Sequence, residues 1–127
     1  MLQIEIDETA SHNCRVTLAG RLDTHTYDEL DRRLTPVLAS DVRSMVFDLA
    51  ELEYISSAGI RSIFRARKAI EGRGGKVVVT RLQPQIKKVF DIVKAVPMDS
   101  IFASVAEADA YLDVMQKRVL EEDGSEH

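Results

Sequence analysis

Residues 46–60 read VFDLAELEYISSAGI. Met45, Val46, Phe47, Asp48 and Leu49 make a short apolar run, the pattern of a strand buried on both faces. Residues 50–56 follow as a loop, and a helix begins near Ser57. Its inward face is Gly59, Ile63, Ala66 and Ile70, with Ile60 and Phe64 beside it. Gly72-Arg73-Gly74-Gly75 stops that helix, and KVVVT at 76–80 is another buried strand. Strand, helix and strand in this order point to a layered α/β structure with parallel neighbours.

On the N-terminal side, Leu2, Ile4 and Ile6 alternate with Gln3, Glu5 and Asp7, the period of a strand with one wet face. Val16 and Leu18, after Cys14, predict a second strand ending at Gly20. The polar residues 8–13 between them are few, so these two strands form an antiparallel pair. Tyr27, Leu30, Leu34 and Val37 then share one helical face. Thr26 with Glu29 is a capping-box pattern for its start. Pro36 predicts a kink or an end near Thr35.

On the C-terminal side, Pro84 opens a third helix whose face is Ile86, Val89, Phe90 and Val93. Pro97 closes it, and residues 99–102 read as a short final strand. Ser104 with Glu107 is a second capping box, ahead of a helix carrying Val105, Ala108, Leu112, Met115 and Val119. The predicted order is β-β-α-β-α-β-α-β-α. That is an α/β fold: a mostly parallel sheet of about five strands, the first antiparallel, with about four helices. Residues 1–120 form one domain, and the acidic residues 121–127 form a disordered tail.

With 127 residues, one compact domain fits and two do not. A net charge of −4 makes the chain a poor ligand for nucleic acid, whose binding rests on Lys and Arg neutralising phosphates. Cys14 is the single cysteine, so no intrachain disulfide forms, in keeping with a reducing compartment. The opening MLQIEIDETA has no basic segment followed by an apolar core, and no apolar run approaches the roughly 20 residues of a membrane span. The expectation is a cytoplasmic protein without membrane contact.

Ser57 draws attention as the predicted N-cap, its hydroxyl oxygen accepting from the N–H of Gly59 or Ile60. Ala58 and Gly59 add almost no bulk, so that hydroxyl is expected to lie open on the surface. A plain structural cap is one reading of it. The other is a phosphorylation site, because unpaired N–H groups and the helix dipole favour negative charge there.

GRLDTHT at 20–26, VFDLAELEYISSAGI, and GGKVVVTRLQPQIKKVFDIVKAV at 74–96 resemble STAS-domain proteins, the anti-sigma-factor antagonists. The resemblance runs over roughly residues 2–112, and it implies a STAS-like fold and no enzymatic activity. It implies that the serine opening the second helix is phosphorylated by an anti-sigma factor that is itself a serine kinase. The unphosphorylated antagonist binds that kinase and frees the sigma factor. A metal-dependent serine/threonine phosphatase reverses the mark. Family members often carry Asp-Ser-Ser-Gly, where this chain has Ser56-Ser57-Ala58-Gly59. Ser57 keeps its spacing to Gly59 and is the first choice for the phosphosite; Ser56 is the second. Asp23, with Thr24 beside it, matches the family's Gly-x-Leu-Asp stretch and has two readings: a residue near the phosphosite and kinase interface, or a turn residue ahead of the first helix. The partner-binding set is therefore Asp23, Thr24, Ser56, Ser57, Ala58, Gly59, Arg61 and Arg65, with no cofactor or metal. A ligand- or nucleotide-sensing STAS domain, or a partner switch whose output is secretion or motility, are the alternatives.

Arg61, Arg65 and Lys68 recur at i, i+4 and i+7, making a basic stripe that leads away from Ser57. It is either a solvated face or a surface for an acidic groove on a partner, and Arg61 stands one turn from Ser57, where a phosphate would reach it. Enzyme readings fare badly. Gly72 to Lys76 lacks Walker spacing and precedes a strand. His12, His25 and His127 have no paired ligand spacing. Ile55 stands where the first glycine of a Gly-x-Ser-x-Gly elbow belongs, and His25 is the single candidate base for Ser57.

Overall fold

The structure, a computed structural model, describes residues 1–10, 12–95 and 104–125. Strands β1 (Leu2–Ala10), β2 (Asn13–Leu22), β3 (Ser44–Ile55) and β4 (Lys76–Thr80) form one sheet in the order β1-β2-β3-β4. β1 pairs antiparallel with β2, while β2–β3 and β3–β4 are parallel. The helices are α1 (Tyr27–Ala39), α2 (Ser57–Glu71), α3 (Pro84–Ala95) and α4 (Val105–Ser125). The fifth strand expected at 99–102 lies outside the described residues; those described hold four strands.

One sheet face carries the core. Cys14, Val16, Leu18 and Leu22 of β2 and Met45, Phe47, Leu49, Leu52 and Ile55 of β3 are buried there. They join one apolar cluster with Leu30, Leu34 and Val37 of α1, Ile60, Ile63, Ala66 and Ile70 of α2, Ile86, Val89 and Phe90 of α3, and Leu112 of α4. The stripes expected of α2 and α3 are the ones buried. At a strand position between Phe47 and Leu49, the buried Asp48 carboxylate is held by Arg15 (2.6 Å), by Arg81 and by the Ala50 N–H (3.2 Å).

The structure corrects the sequence reading in four places. β3 runs on to Ile55 where a loop was expected from residue 50. Two register shifts against β2 each give β3 an extra residue, so Leu49, Leu52 and Ile55 face the core at a spacing of three instead of two. α1 passes through Pro36 and ends at Ala39. Pro36 is exposed and close to the helix end, so one missing donor is set against the burial of Leu34 and Val37 on the same turns. The Thr26 capping box does not form, because the Thr26 hydroxyl turns back to the Arg21 carbonyl (2.9 Å) and the Asp23 N–H (2.9 Å). Finally, α4 continues through Ser125, over residues expected to be disordered; Glu121 and Glu122 are good helix formers. At its start Ser104 does cap, its hydroxyl accepting from the Glu107 N–H at 3.1 Å.

Candidate functional site

β2 and β3 finish side by side, with Leu22 paired to Ile55 and the Ser56 N–H donating to the Leu22 carbonyl at 2.9 Å. Carboxyl ends of parallel strands are where α/β sheets present their sites. Ser56 is still extended (φ −97, ψ 175); its hydroxyl accepts from the Gly59 N–H at 3.3 Å and its carbonyl from the Ile60 N–H at 3.0 Å. Ser56 is therefore the N-cap, where Ser57 was expected. The cause is the β3 extension, which delivers the chain to the helix with Ser56 in the last extended position. Gly59 lets α2 sit directly on this edge, since a Cβ there would come within 2.6 Å of the Leu22 side chain.

Ser57 is the first helical residue, with Ala58 half-buried behind it. Its N–H donates to the Asp109 carboxylate of α4 at 2.9 Å. Its hydroxyl oxygen is enclosed and has no hydrogen-bond partner among the described residues, against the expectation that it lies open. Small neighbours do leave the helix start bare locally, but α4, some fifty residues further on, lies across it. Gln116 fastens α4 to the same edge. Its side-chain amide accepts from the Ile55 N–H (3.0 Å) and donates to the Ile55 carbonyl (2.8 Å). Asp109 and Gln116 are two turns apart on one helical face. Sequence reasoning missed both; the available signal was a pair of polar residues flanking the apolar stripe at i and i+7.

Asp23 follows Leu22 at this same edge. Its carbonyl accepts from the Thr26 N–H (3.2 Å) and the Tyr27 N–H (2.9 Å), and its carboxylate from the His25 N–H (2.9 Å) and the Thr26 hydroxyl (3.2 Å). Asp23 is thus a turn residue, as one of its two readings has it, and it follows Leu22 beside Ser56. Partial burial alone would raise its carboxyl, but the His25 and Thr26 hydrogen bonds and the Arg21 charge hold it below the ordinary value. Thr24 is exposed in the turn. Arg21 stacks on the Tyr54 ring at 4.0 Å. Burial raises the Tyr54 hydroxyl, and the carboxylates of Asp113, Asp109 and Asp23 raise it further, against Arg21. The edge thus gathers three carboxylates, of which Asp23 is paired with Arg21 at 3.6 Å and Asp113 with Lys117 at 3.0 Å. Beside it an open cleft of about 420 Å³ is lined by Tyr54, Gln83, Gln85 and Lys117. Its amides are already spent on the backbone, Gln83 on the Ala50 carbonyl (2.8 Å) and Gln85 on that of Glu53 (3.0 Å).

On α2, Arg65 is tied to Asp31 of α1 at 2.9 Å, while Arg61 is exposed and makes no ion pair among the described residues. The basic stripe is thus part internal bridge and part open charge. Among the described residues no base is hydrogen-bonded to the Ser57 hydroxyl, the contact by which a serine nucleophile is activated.

The sequence profile of the STAS domain family matches residues 3–108. The chain belongs to the STAS-domain family. The STAS chain is 32% identical over 75 residues to BtrV of Bordetella bronchiseptica, named as a candidate anti-sigma factor antagonist. That match covers 59% of this chain and 65% of the relative, just under two thirds of its length. It is 26% identical over 87 residues to the anti-sigma-B factor antagonist of Staphylococcus epidermidis, covering 67% of this chain and 81% of that one. In fold it resembles SpoIIAA, a cell fate determinant of Bacillus solved in its phosphorylated form, with a TM-score of 0.63 at 16% identity over 72% of this chain and 83% of that one. Among its described helices none is long and apolar enough to cross a membrane.

Proposed function

We propose that this STAS-domain protein is a cytoplasmic anti-sigma-factor antagonist without catalytic activity, switched by phosphorylation of Ser57. The observation that carries the reading is the Ser57 N–H at the start of α2, which already holds a carboxylate, Asp109, at 2.9 Å. The position that would receive a phosphate is thus one whose backbone already attracts negative charge. Its relatives in Bordetella and Staphylococcus carry the antagonist name, and SpoIIAA is known in a phosphorylated form. Ser57, half-buried as a residue, is preferred over Ser56, which is 2% exposed and whose hydroxyl is engaged as the cap.

In this scheme the unphosphorylated edge (Asp23, Thr24, Ser56, Ser57, Ala58, Gly59, with Arg61 and Arg65 alongside) binds a kinase-type anti-sigma factor and releases the sigma factor. The kinase transfers the γ-phosphoryl group of ATP. An Oγ–P bond forms, the bond to the β-phosphate oxygen breaks, ADP leaves and the hydroxyl proton is released. The phosphate adds about −1.5 to −2 charges to this edge and weakens the complex by repulsion and desolvation. A metal-dependent serine/threonine phosphatase hydrolyses the ester and restores the binding form.

The test is capture from native lysate with Ser57→Ala and Ser57→Asp proteins as baits. A protein with a histidine-kinase-like ATPase domain should be retained by Ser57→Ala and bound about tenfold or more weakly by Ser57→Asp. Equal retention by both baits overturns the proposal.

A further inference from the structure

We infer that α4 is an intramolecular cover for Ser57, and that docking of α4 and phosphorylation of Ser57 exclude one another. The inference rests on Ser57 being the phosphosite and names the element that regulates access to it.

Three contacts make the cover. Asp109 takes the Ser57 N–H at 2.9 Å, so a carboxylate fills the anion position at the start of α2. Gln116 pairs with both backbone groups of Ile55, at 3.0 and 2.8 Å. Leu112 between them is fully buried. Beside these contacts the Ser57 hydroxyl oxygen is closed off and without a hydrogen-bond partner among the described residues, on a residue that is itself half-buried. A buried hydroxyl with no hydrogen bond is unfavourable; Ser57 shares this state with Ser62 of α2, and differs from it in carrying a neighbouring carboxylate on its own N–H. A kinase cannot bring a phosphoryl donor in line with an oxygen that a helix covers, so α4 must lift first.

The converse follows from charge. The Ser57 oxygen is three bonds from the nitrogen that Asp109 contacts at 2.9 Å, so a phosphate on it stands within about 8 Å of that carboxylate. Asp23 and Asp113 are ion-paired, with Arg21 at 3.6 Å and Lys117 at 3.0 Å, which leaves Asp109 as the carboxylate that a phosphate meets. A group of about −1.5 to −2 charges cannot share the seat with Asp109. The phosphate takes the Ser57 N–H and α4 is expelled. The helix is suited to release. Ala108 and Leu112 are its buried apolar side chains among the described residues, whereas α2 buries Ile60, Ile63, Ala66 and Ile70. Elements fastened by few buried apolar groups and a handful of polar bonds open at low cost compared with the whole fold.

Two measurements test this without any partner. In the first, Ser57→Cys is made in a Cys14→Ala background and the new thiol is alkylated with iodoacetamide. Adding Asp109→Ala and Gln116→Ala should speed alkylation at least about tenfold, as removal of a local cover does. An unchanged rate overturns the cover. In the second, phosphoserine is installed at position 57 of the full chain by genetic code expansion, and amide hydrogen exchange is followed. Exchange in residues 105–122 should rise at least about tenfold while β2 and β3 stay protected. Equal protection of α4 in both phosphoforms overturns the exclusion. The second measurement decides the matter if the first set of variants fails to fold. Either result is readable whether or not a kinase is ever captured, so the failure of this inference and the failure of the proposed function are distinct outcomes.

Discussion

Ser56 and Ser57 are neighbours of identical chemistry, and the structure gives them opposite thermodynamic roles. The Ser56 hydroxyl holds the Gly59 N–H and ends the extended chain, so Ser56→Ala is expected to cost about 1 kcal/mol, the usual value of an N-cap. The Ser57 hydroxyl has no partner among the described residues, so Ser57→Ala removes a desolvated polar atom and should leave stability unchanged or slightly raised. Urea denaturation of the two variants distinguishes them; equal losses would mean that Ser57 makes a hydrogen bond absent from this arrangement. The sequence reading put the cap on Ser57, one residue beyond Ser56, which holds it. The Ser-Ser-Ala-Gly run announces a helix start, yet which serine caps depends on where β3 stops, and that is set by two bulges with no local signature.

Strands and helices were legible wherever one period held over several residues. The stripes of α2 and α3 came through because their inward residues keep a helical spacing and meet one sheet. The second half of β3 was hidden because Leu49, Leu52 and Ile55 fit neither a period of two nor a full helical face. The clamp of Asp109 and Gln116 was hidden because its targets are backbone groups distant in sequence. Hidden in the same way is the tie across the sheet, in which Asp48 of β3 holds Arg15 of β2 and Arg81 just beyond β4. The Arg81 hydrogen bonds, with those of Arg15 and Ala50, outweigh burial and hold the Asp48 carboxyl well below the ordinary carboxylate range. With the native value depressed, the unfolded chain takes up the proton first. The stability from this group is complete above about pH 4, the unfolded carboxylate value, and is lost as pH falls below it. Asp48→Asn should therefore lower stability by about 2 kcal/mol at neutral pH, with the gap to the parent protein narrowing in acid. Urea midpoints at neutral pH and near pH 3 check the sign; a constant gap would locate the stabilisation in packing alone.

For the molecule as a whole, two physical routes lead from a phosphate on Ser57 to the loss of a partner, and they respond differently to salt. The chain carries −4 at neutral pH, and Asp23, Asp109 and Asp113 gather near the edge that Ser57 opens. If charge repulsion across the interface dominates, the penalty is Coulombic and is screened once the Debye length falls from about 10 Å near 0.1 M salt toward about 3 Å at 1 M. If the penalty comes from moving α4, it is a difference in packing and hydrogen bonding, and salt leaves it nearly untouched. The added charge sits at the edge that meets the partner, so repulsion is the expected source of discrimination. The ratio of dissociation constants for Ser57→Asp and Ser57→Ala, measured with the captured anti-sigma factor from about 0.05 M to about 0.5 M salt, should shrink several-fold. Arg61, exposed one turn along α2, supplies an internal control: Arg61→Ala should slow association at low salt for both forms alike and leave their ratio in place. A ratio indifferent to salt would assign the switch to the helix, and the edge carboxylates would then serve to keep α4 and phosphate apart without themselves repelling the partner.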